Sequence, residues 1–208
     1  MKIKGSKILI TGGASGIGEI MGRMALNKGA DTLIIWDINQ VNLERVKREL
    51  SMMGRVEVYQ VDVSNYEMVF QTYESVKNDC GGVDILINCA GVITSNKHFF
   101  DLSVEDIDRT MNINSKAPMY VTLPILKDMV SKNRGHICTI ASAAGMLSNP
   151  RMSVYAASKW AALGWSDSIR VELKELKSKV RCTTIAPYYI STGMFDGVQS
   201  WLFPILKP

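Results

Sequence analysis

Lys7-Ile8-Leu9-Ile10-Thr11-Gly12-Gly13-Ala14-Ser15-Gly16-Ile17-Gly18 is a short branched apolar run that stops at glycines and then opens a segment of helical period. A run this short, rich in Ile and Leu, reads as a strand buried on both faces. Glycines directly after it permit a sharp strand-to-helix turn and close packing of the helix on the strand. They also let backbone N–H groups approach an anion at the helix N-terminus.

The same alternation continues down the chain. A helix runs from about Gly16 to Lys28 and closes at Gly29, a C-terminal glycine stop. Strands are expected at Thr32 to Trp36, Val56 to Val61, Val83 to Asn88, Gly135 to Ala141 and Val180 to Ile185. Between them lie helices at Gln40 to Met53, Tyr66 to Asn78 and Val154 to Leu176. Two more helices precede the fifth strand: one capped by Ser103 and running to about Asn114, the other covering Ala117 to Ser131, with Pro118 and Pro124 disturbing it. Regular β-then-α alternation with Ile/Leu/Val-rich strands implies an α/β fold. It predicts a doubly wound parallel sheet of Rossmann type in three α/β/α layers, spanning residues 1–208 as one domain. In such a sheet, ligands bind beyond the carboxyl ends of the strands.

Composition excludes several alternatives. Of 208 residues, 47% are hydrophobic and 21% charged, an ordinary globular balance. The net charge of +4 is interspersed, with no basic run to suggest nucleic acid as a partner. No stretch approaches the roughly 20 apolar residues of a membrane span, and Met1 to Gly5 enters a strand too soon to be a signal peptide. Cys80, Cys89, Cys138 and Cys182 have no metal-ligand spacing, and neither do His98 and His136. The reading is four reduced thiols, no metal, and a cytoplasmic protein.

Three features carry chemistry. The first is the glycine-rich turn, where the backbone of Gly12, Ser15, Gly16, Ile17 and Gly18 can cradle a pyrophosphate. Its spacing is Gly-x-x-x-Gly-x-Gly, unlike the common Gly-x-Gly-x-x-Gly fingerprint. The second is Asp37, which ends the second strand 19 residues after Gly18. A carboxylate there accepts ribose hydroxyls and repels a 2′-phosphate, and Trp36, Ile38 and Asn39 add no cation, so NAD(H) is favoured over NADP(H). The third is Tyr155-Ala-Ala-Ser-Lys159, whose phenol and ammonium share one helix face. An ammonium so placed favours the phenolate and brings a pKa of about 10 toward the working range, which suits proton exchange with an alcohol or ketone.

With these motifs in this order, the chain resembles the short-chain dehydrogenase/reductase family from about Lys7 to Met194. The resemblance implies that Asp62 and Val63 lie beside the adenine. It makes Asn88, Ala90 and Gly91 the cofactor turn after strand four, with Cys89 replacing an asparagine. Asn114 falls at the residue that bends a helix and holds a proton-relaying water. Ser142, Tyr155 and Lys159 complete the catalytic set. Ser142 positions the substrate oxygen, Tyr155 is the general acid/base, and Lys159 lowers the tyrosine pKa and grips the nicotinamide ribose. Pro187, Ile190 and Thr192 resemble the residues at the nicotinamide, although Tyr188 stands where relatives usually carry glycine.

Met146, Leu147, Met152, Tyr188, Tyr189, Met194 and Phe195 suggest an apolar pocket and a lipophilic secondary alcohol or ketone. Within the family, Ala141 to Met146 and the segment after Pro187 look similar to retinol and 17β-hydroxysteroid dehydrogenases. Members usually continue beyond strand six through a substrate lid, a further strand and closing helices. The tail Trp201 to Pro208 stands where the lid is expected, so the family's last strand and closing helices are read as missing. Relatives dimerise through the helices containing 117–131 and 154–176, so a homodimer or homotetramer is expected by resemblance. Two other readings stand beside the oxidoreductase: a catalytically idle NAD(H)-binding sensor or scaffold, and a nucleotide-sugar epimerase or dehydratase.

Overall fold

A computed structural model describes residues 2–188 and 190. Six strands form one parallel sheet: β1 (Lys7–Thr11), β2 (Thr32–Asp37), β3 (Arg55–Gln60), β4 (Ile85–Asn88), β5 (His136–Ile140) and β6 (Arg181–Ile185). They lie in the order β3-β2-β1-β4-β5-β6, the doubly wound Rossmann arrangement. The chain starts in the middle of the sheet, builds outward through β2 and β3, then returns to place β4 on the other side of β1. The crevice between β1 and β4 is therefore the topological switch point, where such sheets bind ligands.

Register aligns the strand ends. Thr11 pairs with Trp36 on β2 and Asn88 on β4. Asn88 in turn pairs with Thr139, and Thr139 with Thr184. A single row thus marks the carboxyl edge, and the turns that follow it open on the same side.

Helices α1 (Gly16–Asn27) and α2 (Gln40–Leu50) cover one face. Their residues Ala25, Leu26, Leu43, Val46 and Leu50 pack on Ile8, Ile10, Leu33, Ile35 and Ile87. Helices α3 (Tyr66–Cys80), α5 (Ala117–Ser131) and α6 (Ser153–Glu175) cover the other. There Val69, Tyr73, Val76, Val121, Ile125 and Leu173 pack on Leu9, Ile34, Leu86 and Ile137. Successive strand residues enter opposite cores, which is why the central strands are apolar throughout instead of alternating.

Strand boundaries fall within two residues of the sequence reading. Helix α2 ends at Leu50, before the expected Met53. A larger difference concerns α4 (Val104–Met111), which begins at a Ser103 capping box. It does not stop near Asn114 to be followed by a separate helix. A π turn over Asn112–Lys116 carries it directly into α5. Pro118 is accommodated because it sits in the first turn of α5, immediately after this widened turn. Pro124 lies inside α5 without ending it.

Leu9 is fully buried, whereas Val41 on α2 is 75% exposed. Leu9→Ala should cost about 3 kcal/mol of unfolding free energy and Val41→Ala less than about 0.5. Urea titrations of the two variants measure the difference, and equal midpoints would contradict this core assignment.

Candidate active site

At the carboxyl edge a cavity of about 830 Å³ runs across the switch point. Its floor is the glycine-rich turn. Gly12 has φ +65, and a Cβ there would lie 2.8 Å from Cα of Ala90 on the turn after β4. A Cβ on Gly18 would strike the carbonyl of Gly12. The two turns thus approach backbone to backbone, and Thr11 stitches them by accepting the N–H groups of Cys89 and Ala90 at 3.1 and 3.2 Å.

The start of α1 differs from its neighbours. Asn39, Asn65 and Ser103 cap α2, α3 and α4 by accepting first-turn N–H groups. Ser15, in the same position on α1, makes no such bond. The first-turn amides of α1 are left uncapped beside Ser15, Gly16 and Ile17, which all line the cavity. That geometry suits a phosphate, which would meet both the N–H groups and the positive end of the helix dipole.

Asp37 lines the cavity beside the glycine-rich turn. Its Oδ2 accepts the Ala14 N–H at 3.1 Å and its Oδ1 the Asn39 N–H at 3.1 Å. A carboxylate accepts about four hydrogen bonds, so capacity remains for hydroxyl donors from the cavity. Asp62 is similarly fixed, with Oδ1 accepting the Ser64 N–H and hydroxyl at 2.9 and 2.6 Å.

At the other end stand Ser142, Tyr155 and Lys159, all lining the cavity and all at least nine-tenths buried. Tyr155 packs with Ala144, Met152 and Ala156. Lys159 Nζ lies 5.8 Å from the centre of the Tyr155 ring and donates to the Ile140 carbonyl at 3.1 Å. Burial pulls the pKa of this ammonium down to about 8. Burial also pushes the Cys89 thiol up to about 12, so it stays protonated. The Ser142 hydroxyl accepts the Ala144 N–H at 3.2 Å and retains its own proton for donation.

Asn114 does not line the cavity. It sits in the π turn behind the wall, where Oδ1 accepts the Val92 N–H at 2.8 Å. Its Nδ2 donates to the Val92 carbonyl at 2.9 Å and to Ser158 Oγ at 3.0 Å. Asn114 therefore clamps the loop after β4 onto α6, one residue from Lys159. Asn88 is also buried and set back, with Nδ2 donating to Thr122 on α5 at 2.9 Å.

Of the residues singled out from sequence, Asp62, Val63, Ala90, Gly91, Pro187 and Ile190 line the cavity with the glycine turn, Asp37 and the Ser142, Tyr155 and Lys159 group. Thr192, Tyr189, Met194 and Phe195 lie outside the described residues. Of the residues expected to form an apolar pocket, Tyr188 lines the cavity, whereas Met146 and Leu147 are about half exposed and do not. Met152 is buried against Tyr155 in the core. Sequence reasoning missed Val92, Ile93, Thr94, Arg109 and Ile113. The last two sit four apart, a helical repeat that would have put them on one face of α4 and its π turn had that helix been read as continuous.

Known proteins resemble this chain in sequence and in fold. Residues 6–202 match the family model for short chain dehydrogenase. Epidermal retinol dehydrogenase 2 of Mus musculus is 34% identical over 212 residues, covering 99% of this chain and 68% of that protein. Estradiol 17-beta-dehydrogenase 11 of Homo sapiens is 34% identical over 208 residues, covering 99% and 69%. Among solved structures, a short chain dehydrogenase/reductase from Burkholderia phymatum in complex with NAD superposes with a TM-score of 0.87 at 28% identity, covering 94% of this chain and 70% of that one. Levodione reductase superposes with a TM-score of 0.86 at 26% identity, covering 92% and 74%.

The depressed lysine has a thermodynamic consequence. In the fold Lys159 loses its proton near pH 8, whereas an unfolded lysine holds it to about 10.5. Below pH 8 the fold carries a buried cation at a cost, and that cost is relieved as pH rises from 8 to 10.5. Lys159→Met should therefore be more stable than wild type by about 1–3 kcal/mol at pH 7, after allowing for the lost bond to Ile140. The gain should shrink toward pH 10.5. Unfolding titrations at pH 7 and pH 10 check this, and a gain that grows with pH would contradict it.

Proposed function

The chain belongs to the short-chain dehydrogenase family, and on that footing we propose that it is an NAD(H)-dependent oxidoreductase of lipophilic secondary alcohols and ketones. The observation that carries the reading is one cavity holding an uncapped helix N-terminus, a carboxylate at Asp37 and a buried Ser142, Tyr155 and Lys159 group.

The residues fit a nicotinamide dinucleotide. The glycine turn and first-turn amides of α1 would hold its pyrophosphate, Asp37 the adenosine ribose, and Asp62 and Val63 the adenine. Lys159 would hold the other ribose, with Pro187 and Ile190 at the nicotinamide. When bound, such a cofactor supplies or accepts the hydride. Asp37 favours NAD(H), because a 2′-phosphate would meet its charge and the neighbours Trp36, Ile38 and Asn39 supply no cation.

Each remaining step belongs to this chain. Ser142 donates its hydroxyl proton to the substrate oxygen and fixes its place. Tyr155 takes the proton from that oxygen during alcohol oxidation and returns it during ketone reduction. Lys159, charged below about pH 8, favours the phenolate. Asn114 keeps the loop and α6 in register, and the π turn interrupts the helical hydrogen-bond ladder where a proton-relaying water would bind.

A lipophilic substrate is supported by the apolar residues Val92, Ile93 and Ile113 along the cavity and by the retinol and estradiol dehydrogenases among its relatives. A homo-oligomer is supported by Leu123 on α5 and by Trp160 and Val171 on α6, each at least half exposed. Four unpaired cysteines suit the reducing cytoplasm.

Formation of NADH, followed by absorbance with NAD across aliphatic, retinoid and steroid alcohols, tests the proposal. Tyr155→Phe should lower kcat/KM by about 10²–10⁴-fold while leaving NADH binding intact. Full activity in that variant would overturn the assigned chemistry. Binding of NADH without turnover of any substrate would favour the idle sensor or scaffold.

A further inference from the structure

We infer that the Arg45–Glu19 ion pair tunes the affinity of the glycine-rich turn for a diphosphate, with Arg45 as a positioning residue. This rests on the dinucleotide reading of the cavity and concerns two side chains outside it.

Arg45 projects from α2 and meets Glu19 in a bidentate pair, Nη2 to Oε2 at 2.6 Å and Nη1 to Oε1 at 3.1 Å. The remaining proton on Nη2 is donated to the Ala14 carbonyl at 3.0 Å. Ala14 is fully buried, and its N–H donates to Asp37. One residue of the turn is thus held at both ends, by Asp37 on its N–H and by a guanidinium on its carbonyl. The peptide carrying that carbonyl also carries the Ser15 N–H, and Ser15 lines the cavity. A charge-assisted bond to a carbonyl polarises the whole amide and strengthens its N–H as a donor.

The pair also sets the local field. Glu19 lies in the first turn of α1. Its negative charge suits the helix dipole but opposes a second anion at the same helix end. Arg45 cancels that charge. Arg23 and Glu49 complete the group, at 3.5 Å from each other and 3.7 and 3.4 Å from Glu19 and Arg45 respectively. Two cations and two anions balance, so the helix end meets a diphosphate with its dipole unopposed.

The two partners therefore act with opposite sign on diphosphate binding. Arg45→Gln leaves the four-residue group with one negative charge in excess and the Ala14 carbonyl without its guanidinium, and should weaken ADP-ribose binding about fivefold at low salt. Glu19→Gln leaves the group with one positive charge in excess, Glu49 still facing Arg45, and should tighten binding severalfold. Arg45→Lys keeps the charge and should restore most of the affinity. Adenosine reaches Asp37 but has no phosphate, so its affinity should not move in any variant.

Competition of ADP-ribose and adenosine against NADH, read by NADH fluorescence in wild type and the three variants, decides the matter. Opposite shifts for Arg45→Gln and Glu19→Gln, confined to ADP-ribose and shrinking with added salt, would support the tuning role. Weakening in both would overturn it, because a purely mechanical brace is lost whichever partner is removed. Adenosine affinity falling alongside ADP-ribose would overturn it too, by showing that the turn itself had loosened. Failure of the wild type to bind NADH and ADP-ribose would instead overturn the dinucleotide reading, and this inference with it.

Discussion

The Thr11 hydroxyl, bonded to the N–H groups of both Cys89 and Ala90, is the contact on which the site depends. It joins the turn after β1 to the turn after β4, two strands adjacent in the sheet but 73 residues apart in the chain, counting from Thr11 to Asp84 before β4 begins. Backbone meets backbone there, and Gly12 has no room for a side chain. A doubly wound sheet creates the crevice at this place, and the Thr11 clasp fixes its width. The glycine turn, Asp37 and the Tyr155 end all take their positions from that line.

Lys159 shows how far the packing is bent toward chemistry. An ammonium 5% exposed, bonded to the Ile140 carbonyl, is unfavourable for folding, and burial lowers its pKa accordingly. Around it the structure is held tightly. Ser158 bonds to Asn114 and to the Tyr155 carbonyl, and Ser115 reaches the Ser158 carbonyl. These bonds tie α6 to the π turn of the α4–α5 helix beside the buried cation. The π turn is the means: it places Asn114 where a regular helix would have pointed a different residue.

The strands, their order of burial and the helices between them were legible because each depends on local pattern: continuous apolar runs, glycine stops, and polar caps such as Ser103. Asp37, Tyr155 and Lys159 were legible for the same reason, through spacing along a strand end and a helix face. The joined α4–α5 helix was not, because Asn114 acts by bonding to Val92 and Ser158, partners distant in sequence. Met146 and Leu147 misled because apolar character near a site does not determine which way a loop residue turns. Arg45 carried no local signal at all; its partners Ala14 and Glu19 are 31 and 26 residues away and meet it only when α1 and α2 pack on the same sheet face.

Charge along the cavity follows from these two kinds of information. The acidic groups Asp37 and Asp62 sit at strand ends and are fixed by neighbouring backbone N–H groups, so sequence position largely determines them. Lys159 on the cavity wall, and Arg45 outside it, are fixed by tertiary contacts instead: Lys159 by burial at the end of β5, Arg45 by a carboxylate from another helix. A carboxylate bonded to local amides holds its charge and place with little help from the rest of the fold. A buried lysine or an arginine in a bidentate ion pair depends on the surrounding packing for its field. Small changes in that packing alter the cationic side of the cavity before they alter the acidic side, which makes helices α1, α2 and α6 the elements through which binding strength can change while the fold stays the same.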